Sequence, residues 1–153
     1  MIGLLLVNLG TPASTSVGDV RRYLAEFLSD PRVIDLHPIA RFLLLHLVIL
    51  RTRPRRSAEQ YRRIWTERGS PLLIHTRDLA AAAAERLGDG FAVAVGMRYG
   101  SPSIDAALGE LEARGADAIV VLPLFPQYSS ASWGSAAERV MTLAARRTVV
   151  PAL

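Results

Sequence analysis

The chain has 153 residues, of which 50% are hydrophobic and 21% charged, with a formal net charge of +4. This length suits one domain that buries roughly two-thirds of the surface exposed by its unfolded chain, and the longest apolar run, residues 42–50, falls short of the ~20 residues needed to span a bilayer. The lack of cysteine excludes disulfides, thiolate metal sites and a cysteine nucleophile, and no secretory signal is visible, so a cytoplasmic location is expected.

The first predicted elements are a buried strand and an amphipathic helix. Residues 2–7 are nearly all apolar, as in a strand of a parallel sheet that is covered on both faces. Residues 8–12 are predicted to end this strand. Apolar residues at helical spacing then predict a helix over residues 17–28, with Ser16 as its N-cap.

The middle of the chain is predicted to contain three helical segments. Pro38 can open a helix to residue 50 that is apolar nearly all round, so it is either core or membrane-facing. Residues 51–63 carry six arginines and a proline, which predicts a loop that enters a helix near Ser57. An alanine-rich helix follows over residues 71–87, with Ser70 as its N-cap.

The last third of the chain alternates strands and helices. Strand-like segments lie at residues 91–97, 118–122 and 148–150, the last being the start of a fourth strand. Ser101 and Pro102 are predicted to be the N-cap and first residue of a helix that runs to residue 114. A further helix is predicted over residues 136–145.

This alternation predicts an α/β domain, built on a Rossmann-like parallel sheet of about four strands with helices on both faces. In open sheets of this kind, ligands bind in the crevice outside the carboxyl ends of the strands. Three loops of unusual composition follow the strands, at residues 8–12, 98–102 and 122–135. We therefore expect these loops to line one binding crevice.

Several common chemical motifs are missing from the sequence. It has no phosphate-binding P-loop, no glycine-rich dinucleotide fingerprint after the first strand and no serine-hydrolase elbow. His37, His46 and His75 fall on different predicted elements without a neighbour at metal-ligand spacing, so we assign no metal ligand. Aromatic residues are sparse and no nucleic-acid motif is present, so nucleic acid is not an expected partner.

The arginine-rich segment at residues 51–63 has two readings. Guanidinium groups can grip phosphate or carboxylate with paired donors, yet such a segment can equally be a solvated basic face. Beside the apolar helix that precedes it, the segment would suit a flat apolar ligand carrying carboxylates, or the surface of an anionic membrane.

Five motifs occur in order along the chain: LVNLGTP at residues 6–12, YLAEFLSDPRVI at 23–34, Tyr61 with GSPL at 69–72, GMRYGSPS at 96–103 and LPLFPQYSS at 122–130. Together, in register over essentially the whole chain, they resemble the ferrochelatase family, lyases that insert ferrous iron into porphyrin to make haem.

The resemblance implies a two-domain enzyme about twice this length, with porphyrin clamped between two Rossmann-like halves. Residues 1–153 then form the N-terminal half of this chelatase fold, and the C-terminal domain is absent from the chain. The family's proton-accepting histidine and its paired carboxylate belong to the second half, so no catalytic residue is assigned and the isolated chain is expected to be inactive.

The resemblance also assigns porphyrin-contacting residues, which are Leu9, Arg53, Tyr61, Ser70, Arg98, Tyr99, Phe125, Ser129 and Ser130. Leu9 is implied to face the macrocycle, under an apolar lip at residues 27–36, and this apolar surface indicates the branch that uses protoporphyrin IX. The propionate-side assignment of Arg53 has Arg51 as its alternative, because the spacing to Tyr61 is one residue long.

The remaining implied contacts lie deeper in the pocket. Arg98 and Tyr99 match a pair at its inner end that helps to bring in metal, and Phe125, Ser129 and Ser130 line the same wall. Ferrous iron is a substrate in this family. Ser130 stands where some relatives place an iron–sulfur cysteine, so neither a cofactor nor a cluster ligand is expected in this chain.

The expected partners are protoporphyrin IX, a second half supplied by further chain or by a partner, and, as an open alternative, a membrane surface contacted peripherally. Two other functions remain open. A short homodimeric chelatase would need a histidine after the first strand, where this sequence has Asn8-Leu-Gly10. A non-catalytic tetrapyrrole-binding module would need only the crevice.

Overall fold

Three parallel strands form the centre of the molecule. The computed structural model describes residues 1–147 and 152–153. Within them, β1 (Ile2–Thr11) lies between β2 (Phe91–Gly100) and β3 (Ala118–Pro123). Both neighbours run parallel to β1, which confirms the predicted α/β class.

The predicted fourth strand at residues 148–150 lies outside the described residues. Immediately after it, Ala152 forms a parallel bridge with Ala118, on the edge of β3 that faces away from β1. Three strands are therefore described rather than the four that the sequence predicts.

Helices follow the strands in chain order. The α-helices are α1 (Val17–Ser29), α2 (Pro38–Leu43), α3 (Leu50–Ile64), α4 (Pro71–Leu87), α5 (Ile104–Ala113) and α6 (Ser135–Ala144). Two π-helical segments, Leu44–Ile49 and Ser130–Gly134, lead directly into α3 and α6. None of the helices in the described parts of the chain has both the length and the apolar character that crossing a membrane requires.

Two hydrophobic clusters hold the layers together. Alternate strand residues such as Leu5 and Val7 pack against α5 and α6, through side chains such as Leu108 and Val140. A second cluster joins α1, the first π-helical segment and α3, and it includes the fully buried Tyr99 at the carboxyl end of β2. The end of the sheet where ligands are expected is therefore covered by α1 and α3.

The prediction that β1 ends at residue 7 is wrong, because the strand continues through the glycine-containing segment to Thr11. Gly10 pairs with Tyr99 and Thr11 with Gly100, so interstrand hydrogen bonds keep this segment extended despite its turn-like composition. Gly10 has a φ of 112°, and a Cβ placed there would lie 1.8 Å from the Tyr99 carbonyl oxygen. Only glycine allows the two strands to approach this closely.

The loop predicted to begin at residue 51 is also wrong, because α3 is helical from Leu50 with Pro54 inside it. Proline removes one backbone donor from a helix. Here Pro54 lies five residues after the end of a π-helical segment, in which the hydrogen-bond register differs, and the Thr52 hydroxyl donates to the Val48 carbonyl at 2.9 Å. The arginines project into solvent and therefore do not oppose the helix.

The helix after β2 begins two residues later than predicted. Ser103, not Ser101, is its N-cap, and the Ser103 hydroxyl accepts a hydrogen bond from the Ala106 N–H at 3.1 Å. The reason is that β2 stays paired to Gly100, and the Met97 N–H then donates to the Pro102 carbonyl at 2.7 Å. Ser16 does cap α1 as predicted, through the Asp19 N–H.

Candidate functional site

A cavity of about 460 Å³ lies beside the carboxyl end of β1, between α1 and α3. Its lining residues are Leu9, Tyr23, Leu24, Phe27, Arg53, Ser57, Gln60, Tyr61 and Ile64, and we refer to it as the aromatic cavity. Three of the residues expected to contact porphyrin, Leu9, Arg53 and Tyr61, therefore meet in one place. Phe27, from the expected apolar lip, lies beside them.

Aromatic rings form much of the wall of the aromatic cavity. Tyr23 stacks on Phe27 with centroids 6.0 Å apart, and its ring meets that of Tyr61 edge-on at 6.4 Å. The Tyr23 hydroxyl donates to the Gly10 carbonyl at 3.2 Å, which fixes the ring to β1. Burial raises the pKa of Tyr23 and of Tyr61 above the usual value, so both are neutral phenols that can donate hydrogen bonds.

The basic rim of the aromatic cavity comes from one face of α3. Arg53, Ser57 and Tyr61 are spaced four residues apart, so they lie on the same side of the helix. A second hollow of about 510 Å³ shares Arg53, Ser57 and Gln60 with the aromatic cavity and adds Arg56. Arg53 lines both of these hollows, whereas Arg51 lines neither of them.

Arg98 and Tyr99 lie in a polar network behind Phe27. The buried carboxylate of Asp30 accepts hydrogen bonds from Arg98 Nη2 at 2.7 Å, from the Tyr99 hydroxyl at 2.7 Å and from the Ser135 hydroxyl at 2.5 Å. The Tyr99 ring contacts Phe27 edge-on at 5.1 Å. Phe27 therefore connects Tyr99 to the aromatic cavity.

The charges in this network are fixed by burial and hydrogen bonding. Burial would raise the pKa of Asp30, but hydrogen bonds from Ser135 and Tyr99, with Arg98 nearby, hold it below its usual range. Asp30 is therefore ionised at neutral pH, and the stability it contributes is lost only as pH falls through this depressed pKa. Burial raises the pKa of Tyr99 to about 12, so Tyr99 remains a neutral donor.

The other four expected contact residues lie away from the aromatic cavity. Phe125 packs against the cluster beneath α5 and α6, and Ser70 is buried at the start of α4 without a side-chain capping bond. Ser129 is bonded to Ser132 at 2.9 Å, and Ser130 accepts from Arg32 at 2.9 Å. Their assignment as porphyrin contacts stays a prediction.

Asp30 and Ser135 were missed by sequence reasoning. Asp30 lies inside the motif at residues 23–34, and Ser135 is the last residue of the predicted loop at residues 122–135. A polar residue next to a helix end gives no sign of a partner 68 residues away. Neither residue carries a signal of its own in the sequence.

No group of three or more histidine, aspartate or glutamate side chains in the described residues is arranged to hold a metal ion. Asn8, which occupies the place where a short chelatase would need a histidine, donates through its amide to the Thr76 hydroxyl at 3.1 Å. What the arrangement offers is an aromatic cavity with a cationic rim, which suits binding of a flat, apolar anion.

Comparison with known proteins agrees with the motif pattern. The family model described as Ferrochelatase matches residues 1–153. A ferrochelatase of Coxiella burnetii (strain RSA 493 / Nine Mile phase I) is 53% identical over 139 residues, which cover 91% of this chain and 39% of that protein. A ferrochelatase of Legionella pneumophila (strain Corby) is 48% identical over 151 residues, 99% of this chain and 45% of that protein. The chain thus spans less than half the length of these relatives.

Proposed function

This chain belongs to the ferrochelatase family, and we propose that it forms the porphyrin-binding wall of an enzyme that inserts ferrous iron into protoporphyrin IX to make haem. The observation that carries the proposal is the aromatic cavity, in which Leu9, Arg53 and Tyr61 lie together at the carboxyl end of the sheet. The motif resemblance assigns porphyrin contacts to these same three positions.

The chemistry of the cavity fits the two ends of a porphyrin. The apolar side chains of Leu9, Phe27 and Ile64 would cover part of a macrocycle face, and Arg53 at the rim would pair with a propionate. A charge-assisted hydrogen bond of this kind contributes about 1.5–3 kcal/mol, and less where it is exposed to water. Burial of the large apolar ring therefore dominates the affinity.

The proton chemistry is assigned outside residues 1–153. Metal insertion requires a base that removes pyrrole protons while the ring is held in a bent form. The tyrosines of the cavity have raised pKa values, and the Asp30 carboxylate already accepts hydrogen bonds from three side chains. None of these groups is therefore suited to remove a pyrrole proton. We assign this step to the family's histidine and carboxylate, which by the resemblance lie outside the region that matches residues 1–153.

A metallation assay tests whether the proton chemistry depends on a part of the enzyme outside residues 1–153. Residues 1–153 alone should form no haem from ferrous iron and protoporphyrin IX above the rate without protein. Addition of a polypeptide corresponding to the remaining part of a longer relative should produce haem, with that full-length relative as the positive control. Haem formation at a full enzymatic rate by residues 1–153 alone would contradict the assignment. A tetrapyrrole carrier would bind the ring and stay inactive with the added half.

We also propose that this chain contacts a membrane surface peripherally. Large apolar side chains are exposed along α2 and the π-helical segment after it: Ile39, Phe42, Leu43, Leu47 and Val48. Exposed arginines follow on α3. An apolar face beside a row of cations suits the surface of an anionic bilayer, which would also be the source of an apolar porphyrin.

Vesicle sedimentation measures this contact. The wild-type chain should partition onto vesicles that contain phosphatidylglycerol, and Phe42→Asp with Leu47→Asp should reduce the partition coefficient about tenfold or more, because each buried apolar side chain contributes about 1.5–3 kcal/mol. Leu79→Asp, which also alters an exposed leucine but on α4, is the matched control and should have no effect. Equal partitioning of all three proteins would exclude this face as the contact.

A further inference from the structure

The Asp30 side chain makes more hydrogen bonds than any other side chain in the described part of the chain. It follows the last residue of α1, and its side chain is 5% exposed. One carboxylate oxygen, Oδ2, accepts from Arg98, Tyr99 and Ser135, and the other, Oδ1, accepts from the Arg32 N–H at 2.8 Å. A single side chain therefore connects α1, β2 and α6.

The Arg98 guanidinium is held on two sides by this network. Its Nη2 donates to Asp30, and its Nε donates to the Ser135 hydroxyl at 2.7 Å and to the Ser135 carbonyl at 3.1 Å. The Arg98 guanidinium carbon also lies 4.5 Å from the centroid of the Tyr99 ring. Since arginine has many rotamers of similar energy, its orientation here depends on these partners.

The same residue also organises the turn that carries the apolar lip. The Asp30 carbonyl accepts hydrogen bonds from the N–H groups of Val33 and Ile34, each at 3.0 Å. Val33 and Ile34 are half-buried against the cluster that includes Leu9 and Phe27. The backbone of Asp30 thus orders the lip, while its carboxylate orders the inner pair.

The Asp30 carboxylate also compensates the positive charge of Arg98. Arg98 is permanently cationic, and a charge that is largely removed from water is costly unless it is paired. Asp30 lies against it at 2.7 Å and neutralises it without taking up a proton. A neutral side chain of the same shape would keep the packing but leave the arginine charge uncompensated.

We propose that Asp30 is a positioning residue of the porphyrin pocket, which fixes the Arg98 guanidinium and the Tyr99 ring behind Phe27 and couples them to the lip. This inference rests on the proposed porphyrin-binding function. Asp30 does not touch the ligand, so its effect on binding passes through Arg98 and Tyr99.

A double-mutant cycle on protoporphyrin IX binding tests the coupling. The affinity and the induced circular dichroism of the bound Soret band are measured for Asp30→Asn, Arg98→Gln and the double variant. We expect each single variant to bind about tenfold more weakly, and the double variant to bind no more than about threefold more weakly than either, because the two side chains act as one unit. The induced signal should change in Asp30→Asn.

Asp89→Asn makes the same chemical change on an exposed side chain between α4 and β2, outside the lip, and should match the wild type in both measurements. Wild-type affinity and an unchanged induced signal in folded Asp30→Asn would overturn the inference, as would losses that multiply in the double variant. A wild-type chain that binds no porphyrin would instead overturn the proposed function.

Ser135→Ala keeps the inference testable if Asp30→Asn fails to fold. It removes the hydroxyl that links Asp30 to Arg98 Nε without removing a charge, at a helix start where alanine is well tolerated. We expect about fivefold weaker binding and a changed induced signal. Wild-type values for both would contradict the positioning role.

Discussion

Leu9→Asp should reduce protoporphyrin IX affinity by about 100-fold, which corresponds to about 3 kcal/mol. Leu9 lies at the carboxyl end of β1 and faces the aromatic cavity, next to Tyr23 and Phe27. A carboxylate at this position would be desolvated by the apolar face of the ring. Titration of the Soret absorbance with the folded variant measures the loss.

Leu79→Asp is the control for this prediction, because it introduces the same carboxylate at a leucine of α4 that is 48% exposed. Its affinity should equal that of the wild type. If Leu9→Asp retained wild-type affinity while folded, the ring would not lie over Leu9, and the aromatic cavity would not be the porphyrin site.

Gly10→Ala should destabilise the fold by about 3 kcal/mol or more, seen as a fall in Tm of about 6–12 °C. Its new Cβ would lie 1.8 Å from the Tyr99 carbonyl oxygen, and its φ of 112° is unfavourable for any residue with a side chain. The strands would have to separate where Gly10 also accepts the Tyr23 hydroxyl. Thermal unfolding followed by circular dichroism measures the change.

Gly109→Ala is the matched control variant for Gly10→Ala. Gly109 lies within α5, and nothing is within 4 Å of the position that its Cβ would take. Alanine should therefore stabilise the protein by about 0.5–1 kcal/mol through its higher helix propensity. Equal Tm values for the two variants would show that β1 and β2 are not held at the observed spacing.

The elements that sequence reasoning predicted well are those whose signals are local. The N-cap Ser16, the helix from Pro71 and the strand from Ala118 each depend on a few neighbouring residues, and the structure places them as expected. The extension of β1 to Thr11 was missed, because it depends on pairing with β2, about 90 residues away in sequence. Tertiary hydrogen bonds there outweigh the turn-like composition.

The candidate site also combines residues that the sequence predicted with residues that it did not. The aromatic cavity combines residues of β1, α1 and α3, and Leu9, Arg53 and Tyr61 could be named in advance only through motif resemblance. Asp30 and Ser135 could not be identified, since their importance comes from meeting Arg98 in three dimensions. Nor could composition show that α3 continues through Pro54, because a preceding π-helical segment makes this possible.

Titration of residues 1–153 with protoporphyrin IX in dilute detergent, followed by the Soret band, tests whether this chain binds porphyrin in the aromatic cavity. We expect saturable binding at one porphyrin per chain, with a shifted Soret maximum in the wild type that is lost in Leu9→Asp and retained in Leu79→Asp. A Soret band that does not respond to the wild-type chain, or that responds equally to Leu9→Asp, would contradict the assignment of this chain as the porphyrin-binding wall.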